Sequence, residues 1–430
     1  MANDGAQTTR LLITTRFVRS IGQGALAVDL TLYLRALDWS PVAISAVLSV
    51  ALLSGVVLTL FAGPLSDRSG RRRFLFAYEA AQSLAGLAAL LSAQPAILSA
   101  AAIVGGFGRG GNGAAGPFAP VEQAWLAQSL TPARRGPVYS LNAALGFLGN
   151  SVGAVLAAAP SRLQAALPGA LAYRPLFFLS ALGSLLCCAL ILRTPDNETV
   201  ADRGAAVVEP ASHGIQRREN RLVLRLMIAN MMNGAGVGAT GPLIAYWFAI
   251  RFGEGPAEIG PLMAGGFLMA AVASIATGWL SKWLGIVRAV VAMRLVGLAL
   301  LVALPFAPSF GLAAVLYVLR GMFNRGTTGA RSALSISIVR PQRRGFAASM
   351  ANVSMQVPRA VSPVLTGFLF AAGDLALPFF VGAAFQGAYL AFYFWSFWQL
   401  DQPTVRETVP RPFGQAPAPV ARRADYRPDV

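Results

Sequence analysis

The most informative stretch of the chain reads Gly63-Pro64-Leu65-Ser66-Asp67-Arg68-Ser69-Gly70-Arg71-Arg72-Arg73. It follows a long apolar run, and its glycines permit a tight turn between two helix ends. A carboxylate such as Asp67 is favoured beside a helix N terminus by about 0.3–1 kcal/mol. The three consecutive arginines suit an anionic membrane surface. We therefore predict a short basic connection between two membrane-spanning helices.

The composition of the whole chain agrees with a membrane location. Only 12% of its 430 residues are charged, 55% are hydrophobic and the mean hydropathy is +0.58, whereas a soluble domain has about 25% charged residues. The net charge of +17 does not indicate nucleic-acid binding, because the basic residues form no single face or stripe. We expect a lipid bilayer around the chain and no nucleic acid among its partners.

The rare residue types exclude several kinds of site. Lys282 is the only lysine, and its sequence neighbours do not complete a phosphate-binding Walker A motif. Cys187 and Cys188 are adjacent in an apolar run, which gives neither a disulfide framework nor a metal-ligand spacing. The single histidine, His213, cannot build a zinc site or a catalytic triad. We expect neither an enzyme nor a bound cofactor.

Long apolar runs bounded by charge or proline predict twelve membrane spans. Each run reaches the length of about 20 residues that a helix needs to cross roughly 30 Å of hydrocarbon. Helices are expected because lipid offers no partner to free backbone groups. The spans cover approximately 12–35, 41–62, 74–93, 96–121, 138–159, 175–193, 222–250, 258–281, 287–306, 309–331, 346–371 and 376–399.

The arginines orient these spans. Most of them fall in the two tails and in connections on one side of the membrane, and we count Arg16 and Arg19, at the start of the first span, with that side. The other side receives only Arg35, Arg162, Arg174 and Arg251. By the positive-inside rule, both termini are predicted to be cytoplasmic, and we expect the protein in a bacterial inner membrane.

The longest internal connection divides the chain into two sets of six spans. We predict a six-helix bundle over 1–193, a cytoplasmic loop over 194–220, a second six-helix bundle over 221–400 and a disordered tail over 401–430. Three landmarks recur in the same order at offsets of 215, 211 and 209 residues, which predicts a duplicated six-helix unit. The pairs are Gly63 and Gly278, Arg109 and Arg320, and Arg134 and Arg343.

The stretch 63–73 resembles the signature connection between the second and third helices of the major facilitator superfamily, Gly-x-Leu-x-Asp-Arg-x-Gly-Arg-Arg. The resemblance implies an all-α membrane protein with twelve transmembrane helices in two pseudo-symmetric six-helix bundles. Such proteins transport small molecules by rocking two halves about a central site. In that family the connection acts as a latch between the halves, which implies gating roles for Gly63, Asp67, Arg68, Gly70, Arg71 and Arg72.

Two further patterns refine the implied function. Arg109 and the glycines after it are similar to a fourth-helix pattern of proton-coupled exporters. Span 5 keeps Gly146, Gly149 and Gly153 but lacks the Gly-Pro that ends this series in proton-linked drug exporters. The resemblance implies a monomer that exports a small amphipathic or anionic organic compound by proton coupling. The alternatives are proton-linked uptake of a metabolite and a transport-inactive sensor or assembly factor on the same fold.

Charged residues inside the spans are the candidate site residues, because each costs at least about 2.5–3.5 kcal/mol near the bilayer centre. We interpret Asp29 as a proton-titrating carboxylate paired with Arg109, or else as a shallow residue or a static ion pair. Glu122 lies about 19.5 Å further along the helix of Arg109. It is expected to gate with Arg71, to contact substrate or to lie at a solvated helix end. Glu79 is expected to pair locally at the membrane interface.

The second half has cations in the interior of its spans but no carboxylate there, since Glu258 stands at the very start of span 8. The cations are Arg294, Arg320, Arg325, Arg331 and Arg359. They either borrow Asp29 and Glu122 across the pseudo-two-fold axis, bond to backbone carbonyls or await an anionic substrate. In the family fold, spans 1, 4, 7 and 10 line the central cavity, which makes Arg320, Arg325 and Arg331 substrate candidates. Asn233 in span 7 either donates to a ligand or joins helices.

Overall fold

The computed structural model of the protein describes residues 2–107, 118–130, 132–194, 213–340 and 343–401, and all regular structure in these ranges is helical. The first half contains α1 (Ala2–Ala36), α2 (Pro41–Ser69), α3 (Arg71–Leu91), α4 (Pro95–Gly105), α5 (Phe118–Ser129), α6 (Pro132–Leu156), α7 (Ala159–Leu163), a 3-10 turn (Gly169–Tyr173) and α8 (Arg174–Arg193). The second half contains α9 (His213–Thr240), α10 (Ile244–Phe252), α11 (Pro256–Leu284), α12 (Ile286–Ala303), α13 (Phe310–Arg325), α14 (Thr328–Ser337), α15 (Arg344–Ala371) and α16 (Leu377–Phe397), with 3-10 turns at Leu304–Phe306 and Trp398–Asp401.

The helices follow the order of the twelve predicted spans. Among the described residues, eight segments are long and apolar enough to cross a membrane: Pro41–Ala62, Arg71–Leu91, Leu141–Leu163, Gly169–Arg193, Gly214–Phe252, Pro256–Ser274, Ile286–Phe306 and Leu377–Leu400. The other four predicted spans lie in α1, α4 with α5, α13 with α14, and α15. They are less apolar or interrupted, and α1 and α15 bury polar side chains such as Asp29 and Arg359 against other helices.

The connection between the halves is shorter than predicted, since α9 already begins at His213, within the segment assigned to the loop. Residues 195–212 of that loop lie outside the described residues, as do residues 402–430 of the predicted disordered tail.

The seventh predicted span is broken in the structure. The chain leaves the helix at residues 241–243, between α9 and α10, because Pro242 has no N–H for the helix ladder. The glycines before this break remain helical and serve close packing instead. A Cβ on Gly234 would clash with the backbone of Met355 on α15.

The packing of the two halves repeats at the predicted offsets. Gly24 on α1 lies against the backbone of Asn150 on α6, and Gly238 on α9 lies against the backbone of Arg359 on α15. Gly238 follows Gly24 by 214 residues and Arg359 follows Asn150 by 209. Equivalent helices therefore cross at equivalent glycines in both halves.

The connection after span 2 is tighter than predicted. Residues 63–69 belong to the last turns of α2, and only Gly70, with φ 84°, separates α2 from α3. Gly285, 215 residues later, separates α11 from α12 with φ 86°. Backbone of this kind is open to glycine and strained for other residues, which explains why one glycine suffices at each reversal.

The halves contact each other through α2 with α15 and α6 with α11. We call the end of the bundle that holds Gly70 and Gly285 the Gly70 end, and the opposite end, where α10 meets α11, the Gly253 end. Two close contacts lie near the Gly253 end. Gly367 lies against Ser45, and a Cβ on Gly260 would lie 2.6 Å from the carbonyl oxygen of Ala154. In addition, Ser151 Oγ donates to the Ala264 carbonyl at 3.0 Å, and Arg35 lies over the ring of Tyr246.

Candidate functional site

The interior of the second half contains a connected set of five arginines, which we call the arginine series. Arg294, Arg320 and Arg359 are buried, with 4%, 7% and 4% of their surface exposed, and Arg325 and Arg331 are half-buried. Arg294 lies within electrostatic range of Arg331 and Arg320. Arg325 lies within the same range of Arg320 and Arg359. Four helices, α12 to α15, therefore bring five positive charges together.

Arg294 is the best-satisfied member of the series. Its Nη1 donates to Asn233 Oδ1 at 2.7 Å and to Gln386 Oε1 at 3.4 Å, and its Nε donates to Thr327 Oγ1 at 3.2 Å. The guanidinium also lies 4.9 Å from the centre of the Tyr389 ring, a favourable cation–π geometry. Each of these described partners is neutral, so within the described part of the chain the charge is hydrogen-bonded but not neutralised.

The next three members have fewer partners. Arg320 donates to Thr240 Oγ1 at 3.2 Å, Arg325 to the Tyr317 hydroxyl at 3.0 Å and Arg359 to Gln356 Oε1 at 3.0 Å. Arg320 Nε, Arg325 Nη1 and Arg359 Nε have no hydrogen-bond partner among the described residues. Buried guanidinium nitrogens normally find acceptors, so these three side chains have binding capacity that the described protein groups do not use.

Arg331 and Asn233 converge on a methionine. Arg331 Nη2 lies 3.3 Å from Met355 Sδ, and Asn233 Nδ2 lies 3.4 Å from the same sulfur. Arg331 also lies 5.9 Å from the Tyr389 ring centre. Asn233 therefore links α9 to α12 and α15, which is the helix-joining alternative rather than the ligand-donor one.

The arginine series does not borrow the carboxylates of the first half. In the described ranges, the side-chain partners of its members are hydroxyls, amides, a thioether and aromatic rings, and no ion pair reaches Asp29 or Glu122. Cross-axis pairing is thus wrong for these residues. Bonding to backbone carbonyls is equally absent from their described hydrogen bonds.

The first half buries a balanced group of charges, which we call the Arg19 cluster. Arg19 lies 3.1 Å from Glu79 and 3.3 Å from Glu122, and all three side chains are at most 1% exposed. Asn142 Nδ2 donates to Glu122 Oε1 at 2.8 Å, and the buried Arg16 interacts electrostatically with Glu122. Two cations and two carboxylates therefore meet between α1, α3, α5 and α6.

The Arg19 cluster corrects three predictions from the sequence. Glu122 neither pairs with Arg71 nor lies at a solvated helix end, because α1 and α6 enclose it. Glu79 pairs with Arg19 from α1 rather than locally at the interface. Arg16 and Arg19, which we assigned to the cytoplasmic side, are interior residues. Their spacing of three residues, which places both on one helix face, was the available signal.

Asp29 is buried inside the first half, seven residues before α1 ends at Ala36. It is 1% exposed, and neither carboxylate oxygen has a hydrogen-bond partner among the described residues. Tyr173 lies within electrostatic range of it. Its predicted partner Arg109 lies outside the described residues, so that pairing stays a prediction.

The residues of the predicted latch occupy the Gly70 end. Gly63 and Asp67 belong to α2, although the side chain of Asp67 lies outside the description, and Arg68 is exposed in the last turn of that helix. Arg71 is the first residue of α3. Arg72 reaches the Leu192 carbonyl at the end of α8, where a cation is favoured by the helix dipole. The described contact of Arg72 is therefore within the first half.

The described residues contain no group of three or more His, Cys, Asp or Glu that could hold a metal ion. The fold and the buried charges instead define a polytopic helical membrane protein built from two related halves. The sequence model of the Major Facilitator Superfamily matches residues 12–224 and 226–427. The chain belongs to this superfamily, whose members carry small molecules across membranes, and this membership supports secondary transport.

One curated protein is similar to the chain in sequence, and several solved structures share its fold. The chain is 24% identical to an uncharacterised membrane protein of Saccharomyces cerevisiae, YJR124C, over 392 residues, which are 84% of this chain and 87% of the yeast protein. The crystal structure of the nucleoside transporter NupG matches with a TM-score of 0.69 and 12% identity over 91% of this chain and 99% of that one. A bacterial homologue of the human lysosomal transporter Spinster, in an inward-facing and occupied conformation, matches at 0.68 with 14% identity, and a D-xylose–proton symporter at 0.67 with 14%. Each of these two matches covers 90% of this chain and 96% of the other.

Proposed function

We propose that the protein is a proton-coupled secondary transporter that exports a small organic compound by alternating access. Both termini lie in the cytoplasm in this proposal, which makes the Gly70 end cytoplasmic. The two halves rock about the interface formed by α2 with α15 and α6 with α11. The close contacts near the Gly253 end, such as Gly367 with Ser45, would then join the halves on the outer side.

The burial of Asp29 without a described hydrogen-bond partner is the observation that supports proton coupling. A charged carboxylate is costly in an apolar interior unless it has a partner, and the described residues offer none to either oxygen. Uptake of a proton removes the charge of the Asp29 carboxylate, and release of the proton restores a negative charge that a nearby cation would stabilise. The protonation state of Asp29 therefore changes how strongly a group bound beside it is held. The Arg19 cluster is less suited to proton uptake and release, since its carboxylates are already matched by Arg16 and Arg19.

The test is proton flux in inverted membrane vesicles that contain the full chain. Four probes are used that each contain one benzene ring and differ in charge: benzenesulfonate, phenyl phosphate, benzamide and benzyltrimethylammonium. An acid-inside gradient should be dissipated by a transported probe in vesicles with the wild-type chain and not in empty vesicles. Asp29→Asn should abolish this dissipation.

Asp38→Asn is the matched control. Asp38 is exposed at the Gly253 end and has φ 60°, a conformation that Asn accepts readily. This variant should keep wild-type proton flux. Probe movement that ignores the gradient, or survives Asp29→Asn unchanged, would contradict proton coupling through Asp29.

A comparison of inverted with right-side-out vesicles decides the direction of transport. Accumulation in inverted vesicles with an acid interior supports export. Accumulation only in right-side-out vesicles with an acid exterior would replace export by the uptake alternative, and the absence of flux in both preparations would favour the sensor or assembly factor.

A further inference from the structure

Three side chains of the arginine series meet with unused hydrogen-bonding capacity. Arg325 lies within electrostatic range of both Arg320 and Arg359. Each of the three has one neutral acceptor, and each has a nitrogen with no partner among the described residues. Like charges gathered in this way repel one another, and buried unpaired charge is costly. An anion placed among them would remove both costs.

The second half has no interior acid that could supply this anion. Between residues 259 and 373 the sequence contains no Asp or Glu. The acids that flank this range serve the ends of helices: Glu258 accepts from the Gly255 N–H, and Asp374 accepts from the Ala376 and Leu377 N–H groups. Glu219 is engaged by Arg340 and Arg343 at the Gly70 end.

The remaining two arginines are less available. Arg294 donates to three acceptors and covers the Tyr389 ring, while Arg331 lies against Met355 and the same ring. These contacts hold helices together. The series thus divides into a structural pair and a group of three with free donors.

We propose that Arg320, Arg325 and Arg359 form a binding site for the charged group of a small organic anion, a carboxylate, sulfonate or phosphate. This inference rests on the proposed transport function and names its substrate class. A guanidinium fork matches the geometry of such oxyanions. Arg325 also stands 4.9 Å from the Phe267 ring centre and beside Tyr317, so the apolar part of the same molecule has aromatic surface next to its charged group.

Binding to the purified full chain in detergent tests the site without any proton gradient. Benzenesulfonate and phenyl phosphate should raise the melting temperature by several degrees, whereas benzamide and benzyltrimethylammonium should not. Arg325→Gln should weaken binding of the anionic probes at least tenfold. Arg251→Gln removes an exposed cation of the same half and should leave binding unchanged.

A carboxylate built into the site gives a second, independent test. A Cβ on Gly266 of α11 would lie 3.9 Å from Arg325 Nη1 and 3.4 Å from Tyr317, so Gly266→Asp places an internal anion beside Arg325. It should raise the melting temperature of the free protein above that of Gly266→Asn, which has the same shape without the charge. It should also remove the response to anionic probes, while Gly266→Asn keeps at least part of it.

Equal stabilisation by the neutral or cationic probe, no response to either anion, or unchanged anion binding in Arg325→Gln would overturn the site. Failure of the transport proposal looks different. Anion binding that depends on Arg325 but is accompanied by no proton flux in vesicles upholds the site and removes proton-coupled export. Proton-coupled flux with unchanged anion binding in Arg325→Gln upholds export and removes the site.

Discussion

The two halves bury charge at equivalent positions in opposite ways. Arg19 on α1 corresponds to Asn233 on α9 at an offset of 214 residues, and Glu79 on α3 corresponds to Arg294 on α12 at an offset of 215. In the first half a cation lies between two carboxylates. In the second half the cation is on the other helix, and its acceptors among the described residues are neutral. One duplicated framework thus holds a neutralised cluster in one copy and an uncompensated one in the other.

This difference separates two kinds of buried polar group. A matched cluster needs nothing from outside the protein, and disturbing it leaves a buried charge without its partner. An unmatched cluster already lacks a counter-charge, so removing one of its members relieves repulsion as well as breaking hydrogen bonds. The first half is therefore expected to be sensitive to charge deletion, and the second half to be tolerant but dependent on a ligand.

The largest effect is expected for Arg19→Leu. This change leaves Glu79 and Glu122 buried without the cation between them, and breaking a buried pair in this way costs about 3–5 kcal/mol. The free energy of unfolding, measured by denaturant titration in detergent, should fall by that amount. Arg10→Leu, on the exposed face of the same helix, is the control and should change it by less than about 0.5 kcal/mol. Equal costs for the two variants would remove the idea of a matched cluster.

Arg294→Leu should lower the free energy of unfolding by less than Arg19→Leu does. The change leaves Asn233 Oδ1 and Thr327 Oγ1 without their donor, and unsatisfied buried acceptors cost about 1–3 kcal/mol. No carboxylate is left behind, which is the difference from Arg19. The same denaturant titration measures it, and a loss as large as that of Arg19→Leu would mean that Arg294 has an anionic partner.

The two reversals at the Gly70 end should be equally sensitive. Gly70→Ala and Gly285→Ala force a side chain into backbone at φ 84° and 86°, which costs about 1–2 kcal/mol each. Melting temperatures of the two variants should fall by similar amounts. Unequal losses would show that the duplication does not extend to these turns, even though the helices around them match.

The sequence predicted the fold better than the site. Apolar length and the pattern at 63–73 depend on local sequence, and they predicted the helices and the family. The Arg19 cluster depends on which of several charged side chains meet across α1, α3 and α5, and one sequence does not contain those distances. Arg73 lies six residues before Glu79 along the chain, which favours a local partner in the sequence, whereas Arg19 contacts Glu79 in the structure.

Charge balance within each half was nevertheless visible in the sequence. Between residues 259 and 373 the second half has no carboxylate, and the structure adds which arginines have described acceptors and which do not. That sorting required coordinates, because Thr327, Gln386 and Tyr389 come from three different parts of the chain.

The smallest effect on stability is expected for Arg359→Gln, which changes a residue of the proposed anion site. The variant loses the hydrogen bond from Arg359 Nη1 to Gln356 Oε1, worth about 0.5–1.5 kcal/mol, but it also removes a charge that repels Arg325. These two effects oppose each other, so the free energy of unfolding should change by less than about 1 kcal/mol in denaturant titration without ligand. Phenyl phosphate should stabilise the wild type more than the variant, because in the variant the anion has one arginine fewer to neutralise. A large loss without ligand would place Arg359 with Arg19, as a residue whose charge the protein itself has matched, and the contrast between the halves would disappear.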